Sequence, residues 1–277
     1  MAVIDFRVRP IYKTFELGFP EPAVAWFFDS FGYEVKGAAK ERTVEALINE
    51  LKENDVTKAV IPGRALPGFT NEFLIESANL APDIFIPYPF LDVTNPQKAL
   101  EDIDTYIING PGQGASMEPL AGNQVRIDDP SLFPIYEKLE VNNIPLLVTV
   151  SGFIGQYADN TMPHQIEVVL SKFPKLKYIA AHAGWPWFDD MVVIAFRHPN
   201  LYLTADFEGT HGAGSEILRQ ATVNMLKNQV IFASSFPLGP VADGIQSVKD
   251  WKLPSNVEEK VLYSNAAKIL AFNFDNR

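Results

Sequence analysis

Residues 178–187 read Tyr178-Ile-Ala-Ala-His182-Ala-Gly184-Trp-Pro-Trp187, so an apolar run ends at a histidine that is followed by a glycine and two tryptophans. The run 176–181 predicts a fully buried strand, because it is too short for a helix and lies between Pro174 and Gly184. A histidine at the end of such a strand lies at the edge where parallel α/β folds bind ligands. His182 is therefore a candidate site residue, and the alternative is a core histidine satisfied by a backbone carbonyl.

Strand-like and helix-like segments alternate along the chain, which predicts parallel strands joined by helical crossovers. The predicted strands cover residues 2–8, 58–62, 84–89, a short segment ending at Glu118, 144–150, 176–181, 201–205 and 230–233. Helices are predicted at 40–54, 70–78, 96–107, 130–142, 164–173, 215–227 and 257–272. Eight such units predict an α/β fold, a (β/α)₈ TIM-like barrel that forms a single domain over residues 1–277.

A long insertion follows the predicted strand 1, at residues 10–39. It is rich in aromatic residues and is too long for a simple turn. We expect it to form a lid, an extra hairpin or a helix. Its aromatic stretch from Trp26 to Phe31 suits an interface in a homo-oligomer equally well.

Several predicted strands end in polar or charged residues. By period-2 alternation Asp5, Arg7 and Arg9 share one side of strand 1, and three charges there need a cavity or charged partners. The alternative is that this strand ends before the arginines, which are then solvated. Glu118 and Asp206 end strands 4 and 7. The other candidate residues that follow predicted strands are Arg64, Thr149, His211 and Ser235.

Composition limits the classes of function. Hydrophobic residues make up 47% and charged residues 21% of the 277 residues, which predicts a packed core. The net charge of -11 argues against nucleic acid or an anionic membrane as a partner, although a local arginine cluster can still bind an anion. The absence of cysteine excludes disulfides and thiolate metal sites. Because neither a signal peptide nor a membrane-spanning run is evident, we expect a cytoplasmic protein.

Three segments carry a resemblance to a known family: Asp128-Asp-Pro-Ser-Leu-Phe-Pro-Ile-Tyr-Glu-Lys-Leu-Glu140 with Ile144-Pro-Leu-Leu-Val148, Ala181-His182-Ala-Gly184, and Tyr263-Ser-Asn265-Ala-Ala-Lys-Ile-Leu270. In this order they resemble the amidohydrolase superfamily. The similarity is to its amidohydrolase-2 branch, which holds relatives of aminocarboxymuconate-semialdehyde decarboxylase and the pyrone-dicarboxylate and sugar lactonases. The resemblance covers nearly the whole chain.

Most positions that hold the metal in that family carry other residues here. The family has a His-x-His pair on strand 1, and the matching residues are Arg7 and Arg9. Its histidine on strand 5 matches Thr149, and its aspartate on strand 8, which is a metal ligand or a proton shuttle, matches Ser235. Only His182 is kept. Arginine stays protonated and has no lone pair to donate to a cation. We therefore expect no metal in the usual site and no cofactor.

The resemblance, with these departures, implies an amidohydrolase-related hydrolase that works without metal on a small anionic, carboxylate-bearing substrate such as a lactone. In this hypothesis the catalytic residues are His182, Glu118 and Asp206. The substrate-binding residues are Arg7, Arg9, Thr149, Ser235, Arg64 and His211. His182 is the expected general base or acid, because the unperturbed pKa of histidine lies near neutrality.

Other interpretations stay open at this point. Arg7 and Arg9 can instead neutralise Glu118, Asp206 or Asp5 in a buried network that binds no ligand. Arg64 can lie on the surface, and His211 can belong to a mobile loop. For the whole chain, the alternatives are a catalytically inactive binding protein and a metal-dependent hydrolase or decarboxylase.

Overall fold

The computed structural model describes residues 1–10, 21–66, 68–119, 125–152 and 161–270, and in them the predicted (β/α)₈ barrel is confirmed. Its strands are β1 Val3–Asp5, β2 Val56–Pro62, β3 Phe85–Tyr88, β4 Ala115–Met117, β5 Leu146–Thr149, β6 Tyr178–Ala181, β7 Leu201–Ala205 and β8 Val230–Phe232. Nearly all of their residues are buried, since helices cover the outside of the barrel and side chains fill its inside. This two-sided burial explains why the strands are short apolar runs in the sequence.

All strand pairs are parallel. Hydrogen bonds join β1, β2 and β3 in that order, and β4 to β8 in sequence order. The two sheets meet at two seams, where isolated bridges pair Phe90 with Ser116 and Val8 with Phe236. At the second seam the Phe6 N–H also donates to the Phe232 carbonyl at 3.0 Å. The ring is thereby closed, and the carboxyl ends of all eight strands face the same way.

Helices surround the barrel. Those of the first half are α1 Glu21–Ser30, α2 Gly37–Glu41, α3 Val44–Glu53, α4 Asn71–Ala78, α5 Pro96–Asp102 and α6 Phe133–Val141. Those of the second half are α7 Pro163–Lys172, α8 Phe188–Arg197, α9 Phe207–His211, α10 Ser215–Val223, α11 Val241–Asp250, α12 Ser255–Glu259 and α13 Asn265–Leu270. Single π-helical turns extend α5 over Ile103–Ile108 and join α12 to α13 over Lys260–Ser264.

Three of these helices, α8, α9 and α11, were not predicted. Helix α8 buries Met191 and Ala195 at helical spacing, but its start is hidden behind Trp-Pro-Trp in the sequence. Helix α9 has only five residues and forms because the Asp206 carboxylate accepts hydrogen bonds from the first N–H groups of the helix. In the insertion after β1, residues 11–20 lie outside the described part of the chain, and the remainder forms helices α1 and α2 rather than a hairpin.

Two packed layers stabilise the fold. Ile4, Val60, Ile86, Leu147 and Ile231 belong to a cluster inside the barrel, while a larger cluster lies between the strands and the outer helices. The described residues contain no helix with the length and apolar character needed to cross a bilayer.

Candidate active site

Arg7 lies at the centre of the carboxyl face of the barrel and is 1% exposed. Its guanidinium donates to the Nε2 atom of His182, to Thr149 Oγ1 at 2.8 Å and to Ser235 Oγ at 3.4 Å. A carboxylate oxygen of Glu118 lies 4.0 Å from it. β1 does end before the arginines, at Asp5, but the interpretation that Arg7 and Arg9 are then solvated is wrong, because both are buried. Arg7 bridges the ends of strands that are widely separated in the sequence.

The hydrogen bonds around His182 fix its tautomer. Because a guanidinium can only donate, Nε2 must accept from Arg7, and the ring proton is then on Nδ1. That nitrogen faces Asp206 Oδ2 at 3.0 Å and Glu208 Oε2 at 3.4 Å. Burial lowers the pKa of His182 to about 4, and the nearby Arg7 charge acts in the same direction, against the attraction of Asp206. In this closed arrangement the pKa of His182 therefore lies below the unperturbed value of histidine.

A second group of charges connects Glu118 with two more arginines. Arg64 Nε donates to Glu118 at 3.0 Å, so Arg64 belongs to the site and not to the outer surface. Arg9 is 3% exposed and donates to the Ser235 carbonyl at 3.3 Å. Burial alone would raise the pKa of Glu118, but the charges of Arg64, Arg9 and Arg7 outweigh it and hold that pKa below its usual value. Glu118 is therefore an ionised carboxylate among three guanidinium groups.

Two buried carboxyl groups in the site were missed as site residues by the sequence analysis. Burial raises the pKa of Asp5 to about 7, although its Oδ1 accepts the N–H groups of Arg7 and Ser234 at 3.1 and 2.9 Å. Burial and the neighbouring Asp206 raise the pKa of Glu208 well above its ordinary value. The signal for Asp5 was its place on the same side of β1 as the arginines. Glu208 follows Asp206 by two residues, but its helix was not foreseen.

Backbone strain marks the ends of β6 and β8. His182 and Ser235 have φ values of +63° and +56°, in the left-handed region that residues with a side chain seldom adopt. The His182 N–H donates to Thr204 Oγ1 at 2.9 Å and to Asp206 Oδ2 at 3.1 Å, which holds this conformation. Ser235 Oγ donates to the same Asp206 oxygen at 3.0 Å. Such strain persists where the surroundings over-determine it, and it is concentrated at functional sites.

The structure brings together all but one of the nine predicted site residues. His211 is the exception, because its imidazole contacts Tyr33 and Thr210 at the end of α9. The ring of Phe207 lies against His182, with 5.4 Å between ring centroids. Phe207 also packs against Phe31 of the insertion, with 4.8 Å between centroids.

The residues at the centre of the site do not fit a catalytic divalent metal ion. His182, Thr149 and Ser235, which by resemblance match ligand positions of the family, all face N–H groups of the Arg7 guanidinium. A cation at this point would meet another cation whose charge it cannot displace, and serine and threonine hydroxyls are poor ligands for zinc. In the part of the chain that the structure describes, no group of three or more His, Cys, Asp or Glu side chains is arranged to hold a metal ion.

Comparison with known proteins finds a matching family model and solved structures of similar fold. A family model described as amidohydrolase matches residues 35–272. A TIM-barrel protein from Bordetella bronchiseptica is 26% identical with a TM-score of 0.90, covering 98% of this chain and 99% of its own. The 5-carboxyvanillate decarboxylase from Sphingomonas paucimobilis is 17% identical, with a TM-score of 0.65 and 98% and 99% coverage. A manganese-bound dihydroxybenzoic acid decarboxylase from Polaromonas is 14% identical, with a TM-score of 0.71 and 98% and 97% coverage. Among curated proteins no match was found.

Proposed function

The chain belongs to the amidohydrolase family, and from this premise we propose that it hydrolyses a small carboxylate-bearing substrate such as a lactone without a catalytic metal ion. The observation that carries the proposal is the Arg7 guanidinium, which is buried at the centre of the carboxyl face and donates to His182, Thr149 and Ser235. A fixed guanidinium in a water-poor site stabilises negative charge that develops on a carbonyl oxygen. In this role Arg7 polarises the substrate carbonyl and makes its carbon easier for water to attack.

The charge balance of the site supports an anionic substrate. Three guanidinium groups, those of Arg7, Arg9 and Arg64, lie near the ionised carboxylates of Glu118 and Asp206, whose pKa values are both held low. Burial raises the pKa values of the other two carboxyl groups, so they contribute less negative charge at neutral pH. Burial also lowers the pKa values of Arg7 and Arg9, but an arginine side chain keeps its proton in proteins, so the surplus is positive. Planar guanidinium forks match a carboxylate in two-point geometry. The similar decarboxylases also act, by their names, on carboxylated aromatic compounds.

The reaction begins when the substrate carbonyl oxygen accepts the Arg7 hydrogen bond that His182 accepted before. That exchange breaks the Arg7–His182 hydrogen bond and leaves the Nε2 lone pair of His182 free to accept a proton from water. Asp206, whose Oδ2 atom lies 3.0 Å from Nδ1, stabilises the imidazolium that forms. As the proton moves to Nε2, the water oxygen bonds to the carbonyl carbon and gives a tetrahedral intermediate whose oxyanion Arg7 binds. The carbonyl then re-forms as the acyl C–O bond breaks, and the imidazolium gives its proton to the leaving oxygen. Glu118 keeps the Arg64 fork in place for the substrate carboxylate.

The test compares lactones that carry a carboxylate with matched uncharged lactones, using protein purified without chelator. We expect hydrolysis of the charged series only, unchanged activity after dialysis against a chelator, and less than stoichiometric metal by mass spectrometry. Arg7→Ala should lower kcat by about 10²–10³-fold, the usual loss when one oxyanion donor is removed. Arg7→Lys keeps the charge but not the fork, and serves if the alanine variant does not fold.

The matched control is Arg219→Ala. Arg219 donates to Glu216 and to the Trp251 carbonyl, neither of which belongs to the site, so its loss should leave the kinetics unchanged. Stoichiometric zinc or manganese, together with loss of activity on chelation, would show that the proposal is wrong. Metal-assisted hydrolysis or decarboxylation would then explain the activity better.

Decarboxylation is a second candidate, and Glu208 is the observation that favours it. Its raised pKa supports a protonated carboxyl 3.4 Å from His182, and loss of carbon dioxide leaves a carbanion that needs a proton donor. Release of carbon dioxide from aromatic acids, with no ring opening of lactones, would identify this reaction.

The net charge of -11 supports a small-molecule substrate and not nucleic acid as the partner.

A further inference from the structure

A cavity of about 310 Å³ lies on the carboxyl side of β6 and β7, apart from the arginine site. Its walls come from helix α1 and from the segments that follow the two strands, and they include Trp26, Phe27, Phe31, Trp185 and His211. The volume is at the lower end of the range for small-molecule sites. The Phe207 ring contacts both Phe31, which lines this cavity, and His182, which does not line it.

A hydrogen bond and ring contacts hold the aromatic walls of the cavity in place. The Trp185 indole donates from Nε1 to the Ala213 carbonyl at 3.2 Å, which fixes the plane of the ring. Gly212 lets that ring approach closely, because a Cβ atom there would lie 2.8 Å from Trp185 Nε1. Trp26 is 61% exposed at the rim and packs edge-on against Phe27, with 4.9 Å between centroids. Indole and phenyl rings held in this way present fixed faces and edges to another aromatic ring.

His211 is a polar group of the cavity, and its hydrogen bonds determine which of its two ring nitrogens carries the proton. The Thr210 hydroxyl donates its one proton to the Asp206 carbonyl at 2.8 Å, so toward His211 Nδ1, 2.9 Å away, it can only accept. Tyr33 OH, 3.0 Å from the same nitrogen, directs its own proton to Ser247 Oγ at 3.4 Å, because the Ser247 hydroxyl donates to the Asp243 carbonyl at 2.7 Å. Both hydroxyls therefore accept from Nδ1, which carries the proton of the His211 ring. Partial burial lowers the pKa of His211, so the ring is neutral at neutral pH. Its Nε2 atom then carries a lone pair and acts as an acceptor.

We propose that this cavity is a second small-molecule site, which binds an aromatic ring bearing a hydroxyl or N–H donor, with the ring against Trp26 and Trp185 and the donor bonded to His211 Nε2. The aromatic walls select a flat ring, and the acceptor selects a ring that carries a donor. A ring with an acceptor alone, or an aliphatic compound of the same size, lacks one of the two interactions. The inference goes beyond the proposed hydrolysis and does not depend on the arginine site.

The experiment uses two probes that differ only in the donor, 2-naphthol and 2-methoxynaphthalene, with binding to the full chain measured by calorimetry. We expect saturable 1:1 binding of 2-naphthol, about fivefold tighter than that of the methoxy compound, as one hydrogen bond of about 1 kcal/mol gives. His211→Phe keeps a ring but removes the acceptor, and it should bring the two affinities together. Trp26→Ala should weaken both probes by about fivefold or more through lost ring contact.

Two controls separate this site from non-specific binding and from the arginine site. Phe196→Ala removes another exposed aromatic side chain, 62% exposed on α8, and should change neither affinity. Arg7→Ala should leave 2-naphthol binding intact, so failure of the hydrolysis proposal and failure of this one can be told apart. The inference is overturned if wild type binds both probes equally, if neither probe saturates, or if Phe196→Ala weakens binding as much as Trp26→Ala.

Discussion

Asp5→Asn offers a direct thermodynamic test of the buried site. In the folded protein burial raises the pKa of Asp5 to about 7, from 3.8 for a free side chain. The folded state therefore holds its proton more tightly than the unfolded chain between these two pH values. The stability that this group contributes is fully present below pH 3.8 and is lost as the pH rises through 7. Three pKa units at about 1.4 kcal/mol each give a loss of about 4 kcal/mol.

His182 acts in the opposite direction and masks this loss in the wild type. Its pKa is lowered from 6.5 to about 4, so the unfolded state binds the proton more tightly than the folded state in that window. The stability that His182 contributes is present above pH 6.5 and is lost as the pH falls to 4, by about 3 kcal/mol. Between pH 4 and 6.5 the two slopes oppose each other. The wild-type pH profile alone therefore hides both effects, and a difference profile is needed.

The assay is urea unfolding of wild type and Asp5→Asn at pH 4, 5.5, 7 and 8.5. Asparagine keeps one oxygen to accept the N–H groups of Arg7 and Ser234, but it does not titrate. Relative to the variant, wild type should lose about 4 kcal/mol of unfolding free energy as the pH rises from 4 to above 7. Asp83→Asn, which removes one carboxylate from the exposed surface, is the control for the loss of a carboxylate outside the site. Parallel wild-type and Asp5→Asn profiles would mean that Asp5 is ionised in the folded protein, and the charge balance given for the site would be wrong.

Three further substitutions test separate parts of the structure by urea unfolding. Glu118→Gln removes the carboxylate that lies between the arginines of the site, including its contact with Arg64. The unfolding free energy should fall by about 3–5 kcal/mol, and a loss below about 1 kcal/mol would mean that the site is well hydrated. Thr43→Ala removes the hydroxyl that caps α3 through the Ala46 N–H at 3.1 Å and should lower it by about 1 kcal/mol. Gly184→Ala should lower it by about 2 kcal/mol, because φ is +73° and the new Cβ would lie 2.5 Å from a side chain of α8; an unchanged midpoint would contradict that geometry.

The barrel could be predicted from the sequence because its strands are buried on both faces and are separated by helices of ordinary length. Much of the site could be predicted for the same reason, since strand ends of a barrel meet at one face, and Arg7, Glu118, His182 and Asp206 all end or follow strands. Their protonation states could not be predicted. They depend on which groups touch across 175 residues of sequence, as Arg7 and His182 do. The role of Glu208 was missed because the short helix that carries it has too few residues to show a period.

A guanidinium at the centre of the site limits the substrates that the proposed hydrolase can use. Arg7 polarises a carbonyl by donating hydrogen bonds, but it has no vacant orbital and does not lower the pKa of a bound water as zinc does. Activation of water then rests on His182 alone, whose pKa is held at about 4 by burial, with the neighbouring Arg7 charge acting in the same direction. A weak base and a neutral water suit esters and lactones with a good leaving group and not amides.

This reasoning predicts a steep dependence of kcat/KM on the leaving group. In a series of aryl esters that share one carboxylate, the rate should rise about tenfold or more as the pKa of the leaving phenol falls by two units, and matched anilides should not react. The series is measured at one pH above 7, with alkaline hydrolysis of the same esters as the reference slope. A shallow dependence, or turnover of the anilides, would point to a stronger nucleophile than the geometry of Arg7 and His182 supplies, and the metal-free mechanism would then be abandoned.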